Sequence, residues 1–308
     1  ASIEEEGYHF SSAILSPHEF GTPQIRKRLY MVGIKKEIWN EKKFEFPEGT
    51  REITNVKSIL DKKKSVDNKY SLSKGEIRIL EYWNYFIENI SSEENPPSPT
   101  WSQDFARTYP LEHIHPISKQ WRITVKDLKK NLEKDGLHVP KSRLRKEVLR
   151  FFPPYIISAK KPLPGWKRKF ITNNRKFWEK NQSLLGDEWL SVVREFEQTY
   201  QKFEWQVGDE PRNIWKHMIQ FRPSGIRVKR TNYIPALVAI TQIPIIGWQK
   251  RRMTPKECAR AQDFDVDGII SKPYVLSDID SVAYKQLGNA VNVKLTKIIM
   301  QEIERYIR

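Results

Sequence analysis

Cysteine is almost absent from this chain of 308 residues: Cys258 is the only one. A lone thiol excludes an intrachain disulfide framework and fits a reducing compartment. Long apolar runs are missing as well. The greasiest stretch, residues 233–248, is broken by Pro235, Thr241, Gln242 and Pro244, so no membrane span can be drawn through it. The opening ASIEEEGYHF is acidic where an export signal would be basic. No internal repeat and no low-complexity tract occurs, and no metal is expected. With 38% hydrophobic, 12% aromatic and 30% charged residues, the expectation is a globular, cytoplasmic protein rather than a disordered one.

What the chain has in excess is positive charge, +16 overall. Its location matters more than its size. Residues 1–100 hold 15 basic and 16 acidic side chains, and residues 251–308 hold 10 and 8. Residues 101–250 hold 29 basic against 14 acidic, so nearly all the surplus lies in one internal block. A solvated lysine-rich face would give the same count, but a surface facing phosphates is the reading that uses it. The aromatics interleaved there (Trp121, Phe151, Phe152, Trp166, Phe170, Phe177, Trp178) are expected mostly inside.

Three zones emerge along the chain. YHFSSAIL and RLYMVGI read as strands, joined by a segment with Gly21 and Pro23. In the long middle zone, Ser73 with Glu76 three residues on opens a helix with Ile79, Leu80, Trp83, Phe86, Ile87 and Ile90 on one face. A second helix begins near Thr124, buries Leu128 and Leu132, and stops at Gly136. A third is expected from about Asp187, with Trp189, Leu190, Val193, Phe196 and Tyr200 at helical spacing. The proline-rich NPPSPTW separates the first two. In the last zone Thr254, Pro255 and Glu257 form a helix start, and another helix follows QLGNAV with Leu295, Ile298, Ile299, Ile303 and Tyr306 on one side. The first 36 residues supply too little sheet to cover that last helix, which is therefore expected to be left partly bare.

Three segments, in order, carry a resemblance. FGTPQIRKRLYMVGI (residues 20–34) resembles the eighth motif of DNA cytosine-5 methyltransferases, Pro-Gln-x-Arg-x-Arg running into a buried strand. RRMTPKECARAQDF (residues 251–264) is similar to the ninth, with Met253 for the usual leucine and Asp263 for the usual glycine. YKQLGNAVNV (residues 284–293) is similar to the tenth, Lys-Gln-x-Gly-Asn-Ser/Ala-Val. In that family the stretch between the eighth and ninth motifs is the variable target-recognition domain. Here it is the stretch that contains the basic block. The family's aromatic-x-Gly-x-Gly cofactor loop, Pro-Cys nucleophile and Glu-Asn-Val acid, which precede the eighth motif, do not occur in residues 1–20.

The resemblance implies roles for particular residues. The family's chemistry attacks C6 of a flipped-out cytosine with a thiolate, engages N3 with a glutamate, and takes a methyl group from S-adenosylmethionine. Cys258 is the only thiol, but it lies inside the ninth-motif helix, where the family has small apolar residues, and is read as structural. Gln24, Arg26 and Arg28 are spaced two apart, which on one extended segment would put all three on one face. The resemblance gives them contact with the target cytosine, Arg28 at O2 and Arg26 close to the base and backbone; a plain surface stripe of charge is the alternative. Gly288, Asn289 and Ala290 would line the amino-acid end of the cofactor, or simply form a turn and helix cap. Position 290 is alanine rather than the common serine, so contact there must come from backbone groups. Arg251, Glu257 and Arg260 are expected to be structural. For DNA contact the best stretch is FRPSGIRVKRTNYIPALVAI (residues 221–240), with Arg222, Ser224, Arg227, Lys229 and Arg230 around a Ser224-Gly225 turn, against a generic basic hairpin.

These readings combine into an α/β architecture. It is the C-terminal portion of a Rossmann-like, S-adenosylmethionine-dependent methyltransferase catalytic domain (residues 1–45, then 251–308), bracketing a large mixed α/β target-recognition domain (residues 46–250). The expected function is sequence-specific binding of double-stranded DNA and presentation of cytosine for C5 methylation in a restriction–modification setting. The missing motifs would come from a partner polypeptide or from upstream sequence of a longer protein. The alternative is a catalytically inactive DNA-binding protein derived from the same family.

Overall fold

The computed structural model describes residues 3–307 apart from 41, 51, 53, 110, 112–123, 138, 150, 158–162 and 239–241; Trp121 and residues 239–240 of the basic stretch lie outside it. In chain order the strands are β1 (Tyr8–Leu15), β2 (Gln24–Ile25), β3 (Arg28–Lys35), β4 (Thr100–Trp101), β5 (Lys202–Gln206), β6 (Met218–Arg222), β7 (Gly225–Lys229), β8 (Ile234–Pro235), β9 (Ile245–Ile246) and β10 (Arg251–Arg252). The helices are α1 (Lys74–Asn89), α2 (Val125–Lys134), α3 (Arg145–Leu149), α4 (Pro154–Ile157), α5 (Gly165–Glu195), α6 (Pro255–Arg260), α7 (Asp280–Asn289) and α8 (Val293–Glu304).

Two compact units form. The first comprises Ala1–Leu72, Trp215–Gln220 and Lys229–Arg308, and the second Ser73–Ile214 and Phe221–Val228. Residues 46–72 and 229–250, expected with the recognition domain, thus pack with the motif-bearing segments. The reason is visible in the core of the first unit, where Val56 and Ile234 are buried with Met253, Cys258 and Leu287.

In the first unit β1 and β3 pair antiparallel along their whole length, with Tyr8 opposite Lys35 and Leu15 opposite Arg28. β2 runs parallel to β8, and β9 lies between β10 and the Met218–Ile219 end of β6. Alternation along β3 sends Val32 and Ile34 inward onto Leu295 and Ile299 of α8, together with Phe20 and Phe44. The last helix is therefore covered at Leu295 and Ile299, while Ile298, Ile303 and Tyr306 are half-buried and Val293 and Met300 exposed, so it remains partly bare. A further apolar face lies bare on the opposite side of the hairpin, where Ile14, Leu29 and Met31 are exposed.

The second unit is built around aromatic rings. Trp83 of α1 stacks on Phe203 of β5 at 4.7 Å, and Phe105 stacks on Trp178 of α5 at 5.1 Å. The capping boxes foreseen at Ser73 and Thr254 both form, and Thr124 caps α2, which ends before Gly136 at φ 65°. The helix expected from Asp187 is only the second limb of α5. The first limb starts at Gly165, the two meet at Gly186 (φ 77°), and α5 ends at Glu195, so Phe196 and Tyr200 fall beyond it. Two fully buried asparagines interrupt the apolar stripe of the first limb: Asn174 accepts from the Trp101 amide at 2.6 Å and Asn181 from the Ser91 amide at 2.9 Å.

Candidate functional site

Residues 16–28 form a braced loop in the first unit. Ser16 and Glu19 close a capping box over the short helical turn Pro17–Phe20, and Gly21 follows at φ 77°, where a side chain would meet Glu52. The Ser16 hydroxyl then accepts from the Arg26 amide at 3.0 Å. Strand geometry lapses at Arg26 and Lys27, between β2 and β3. That break undoes the expected shared face of Gln24, Arg26 and Arg28.

Gln24 is fully buried, and neither its amide oxygen nor its nitrogen makes a hydrogen bond. A buried amide left in that state costs about 1–3 kcal/mol per group. Arg26 is also buried, and its Nη2 donates to the Gly288 carbonyl at 3.0 Å. Burial and the neighbouring Arg28 charge hold its pKa below the usual arginine value. Arg28 is exposed; its Nη1 donates only to the adjacent Lys27 carbonyl, at 2.8 Å.

The tenth-motif segment is more helical than its Gly-Asn pair suggested, since α7 runs through Gly288 and Asn289 and Ala290 is its extended C-cap. With the Gly288 carbonyl engaged by Arg26, the exposed Asn289 side chain and the backbone at Ala290 and Val291 form the open edge. Amide donors and acceptors of this kind fit an amino-acid carboxylate and ammonium. They offer nothing to cradle a nucleoside, so the residues present fit one end of such a cofactor.

The ninth-motif segment supplies the frame. Arg251 donates to both carboxylate oxygens of Glu257, at 2.6 and 2.8 Å, and both side chains are buried. Glu257 also accepts from the Asp61 amide at 2.8 Å, and Arg260 bridges Asp61 and Asp267. Gln262 donates to the Leu287 carbonyl at 2.8 Å, and its own carbonyl accepts from the Val293 amide at 3.0 Å. Cys258 is 0% exposed, and burial together with the charge on Glu257 pushes its thiol far above the range of a reactive thiolate.

The residues expected to meet DNA fall on both units. In the second, Arg222 and Arg227 both bind Glu204 of β5, while Ser224 is exposed at the turn. Their charge is thus engaged inside the unit, a pairing that no spacing in the sequence revealed. In the first, Arg230 is exposed and Lys229 lies 5.8 Å over the Tyr233 ring. The second unit also holds a cavity of about 510 Å³ lined by Gln103, Arg107, Phe152 and Arg194 among others, none of them foreseen as a site residue. Its lining comes from segments far apart in the chain, so no local motif could have found it.

Comparison with known proteins places the chain. The model of the C-5 cytosine-specific DNA methylase family matches residues 1–305, and the chain belongs to that family. S-adenosylmethionine is the methyl donor of these enzymes. The chain is 27% identical to the Type II methyltransferase M.AluI of Cellulosimicrobium cellulans, over 96% of its own length and 65% of that protein's. It is 24% identical to the Type II methyltransferase M.BanI of Aneurinibacillus aneurinilyticus, over 98% of its own length and again 65% of the relative's. It therefore spans about two thirds of the length of either relative. A solved methyltransferase of Entamoeba histolytica overlays with a TM-score of 0.33 at 14% identity, covering 99% of this chain and 54% of that one. Among the described residues no helix is long and apolar enough to cross a membrane, and no cluster of metal-ligating side chains occurs.

Proposed function

We propose that this chain is the DNA-reading and substrate-positioning part of a cytosine-C5 methyltransferase of the restriction–modification type, with the attacking thiolate supplied from outside its 308 residues. The observation that carries the reading is the Arg26–Gly288 hydrogen bond, 3.0 Å long, which joins the segment bearing exposed Arg28 to the segment bearing exposed Asn289.

In this chemistry a thiolate adds to C6 of an extrahelical cytosine and charge spreads over the ring towards N3 and O2. Arg28 is the group proposed to meet O2: its guanidinium is accessible, stays charged, and donates along several directions. Arg26 would act behind it, as the tie that fixes the segment. Gln24 is fully buried with an amide that makes no hydrogen bond, so it would meet the flipped base only if residues 24–28 opened on binding. Bound S-adenosylmethionine supplies the methyl group. Asn289, with the backbone of Ala290 and Gly288, is proposed to hold its amino-acid end.

On the DNA side, Arg222 and Arg227 would have to leave Glu204 to reach a phosphate or a base. Ser224, Lys229 and Arg230 are the proposed contacts from that stretch, with the exposed lysines of α2 and α5 meeting backbone phosphates. Cys258 supports the external thiolate, because it is buried in α6 and disfavoured as an anion. The Pro-Cys and Glu-Asn-Val motifs would then lie in a preceding segment of the same polypeptide or in a separate subunit.

The test is transfer of labelled methyl from S-adenosylmethionine to duplex DNA, with this chain, with the polypeptide bearing the missing motifs, and with both. Transfer is expected only from the two together, and Cys258→Ser should leave it intact. DNA binding by the chain with no transfer in any combination would instead favour a binding protein without catalysis.

A further inference from the structure

The turn that ends α6 places an aspartate where the backbone favours glycine. The Phe264 amide donates to the Ala259 carbonyl at 3.1 Å and the Asp263 amide to the Arg260 carbonyl at 2.9 Å. These are the two crossed bonds of a Schellman terminus, and Asp263 occupies its left-handed position with φ 59°. Glycine adopts that conformation freely and an L side chain does so under strain, aspartate and asparagine being the best tolerated. A strained choice at a turn that glycine would satisfy asks what the carboxylate does.

The carboxylate reaches both segments of the candidate site. Its Oδ2 accepts from the Thr22 hydroxyl at 2.5 Å and from the Asn292 side-chain amide at 2.8 Å, and Thr22 and Asn292 are both buried. Thr22 begins the run that continues through Gln24 and Arg26 to Arg28. Asn292 caps α8, its Oδ1 accepting from the Leu295 amide at 2.8 Å, and follows Asn289 by three residues. Gln262, the neighbour of Asp263, bonds only to the second of these segments, at Leu287 and Val293. Arg26 bridges the same two segments at Gly288. Among the described residues, the Arg26–Gly288 bond is the other hydrogen bond joining these segments, beside the packing of Phe20 on Leu295 and Ile299.

We propose that Asp263 is a positioning residue, a carboxylate clasp that fixes residues 22–28 against residues 288–292. On the function proposed above, on which this role rests, it sets the base-directed Arg28 relative to the donor-directed Asn289. No contact of Asp263 with either substrate is implied.

A double-mutant cycle on the full chain tests the clasp. In urea unfolding, Thr22→Val should lower the folding constant roughly three- to tenfold in the natural background and by almost nothing in Asp263→Ala. Asp263→Gly removes the left-handed strain along with the carboxylate, so it should be no less stable than Asp263→Ala yet abolish the coupling as fully. Amide exchange at Leu295, whose buried amide donates to the Asn292 side chain that Asp263 holds, should quicken about tenfold in Asp263→Ala and return towards normal in Asp263→Asn, which keeps an acceptor oxygen. In the reconstituted enzyme Asp263→Ala should raise KM for S-adenosylmethionine and lower kcat with duplex affinity unchanged, and Asp263→Asn should restore both. A Thr22→Val cost that persists in Asp263→Ala, or exchange at Leu295 that does not move, overturns the clasp. Absence of methyl transfer from every combination, with the cycle and the exchange as expected, would overturn the proposed function and not the clasp.

Discussion

The two units use positive charge in different ways. In the second, Arg107, Arg175, Arg194, Arg212, Arg222 and Arg227 all turn inward, onto carbonyl oxygens or carboxylates of their own unit. What remains on its surface is mostly lysine, with Lys126, Lys130, Lys134, Lys169 and Lys176 exposed, beside the exposed Arg78, Arg143 and Arg168. In the first unit Arg26, Arg251 and Arg260 hold the motif segments together while Arg28 stands exposed beside its buried neighbour. The contrast follows from the side chains. A guanidinium fork can satisfy several buried acceptors at once, whereas an ammonium is a strongly hydrated point charge suited to phosphates. A net positive block therefore overstates the number of groups able to read bases, and here much of what it offers outside is suited to tracking a backbone.

The largest effect should come from the buried fork of the first unit. Arg251→Ala leaves Glu257 charged and buried, and should cost about 3–5 kcal/mol of stability. Urea unfolding measures it, and a loss under about 1 kcal/mol would mean that the pair does not brace the frame. Arg28→Ala sits at the other extreme of burial. It should leave stability within about 0.5 kcal/mol, keep duplex affinity, and lower methyl transfer about ten- to a hundredfold in the complete enzyme. Equal losses of binding and rate would make Arg28 a phosphate contact.

The smallest effects per residue should sharpen the contrast within the second unit. If its surface engages about six to eight phosphates, log K for duplex DNA should fall with log salt at a slope of about −5 to −7. Each of Lys130→Ala and Lys169→Ala should flatten that slope by up to about one and barely alter stability. Glu204→Gln should do the reverse, destabilising by about 1–3 kcal/mol as Arg222 and Arg227 lose their carboxylate. Lysine variants with no effect on the slope would move the DNA surface elsewhere.

Much of the fold was legible wherever local chemistry decides it. Ser73 with Glu76 and Thr254 with Glu257 announce helix starts because capping needs only residues three apart, and YHFSSAIL and RLYMVGI read as strand-like runs that become β1 and β3. The start of α5 was hidden because Asn174 and Asn181 sit at core positions, where their amides serve distant backbone groups. The unit boundary was misplaced because Val56 and Asp61 join the first unit through contacts with residues about 180 to 200 positions away. In the site, residue types at 24–28 and 288–290 were readable from motif resemblance, but their division into buried and exposed was not. It depends on the break at Arg26 and Lys27, and no spacing predicts that. The engagement of Arg222 and Arg227 by Glu204 was equally invisible, since a carboxylate 18 residues from one and 23 from the other leaves no periodic trace.

The central claim, that the attacking thiolate is not Cys258, is tested most directly by trapping. In duplex DNA carrying 5-fluorocytosine at the target, thiolate addition and methyl transfer leave fluorine on C5, which a base cannot remove as it would a proton, so the thiolate stays bonded to C6. The chain, the polypeptide bearing the missing motifs, and their mixture are incubated with this duplex and S-adenosylmethionine, and the DNA-linked cysteine is mapped by peptide mass. An adduct is expected only in the mixture, on a cysteine outside this chain and unaffected by Cys258→Ser. An adduct formed by this chain alone and lost with Cys258→Ser would contradict that claim.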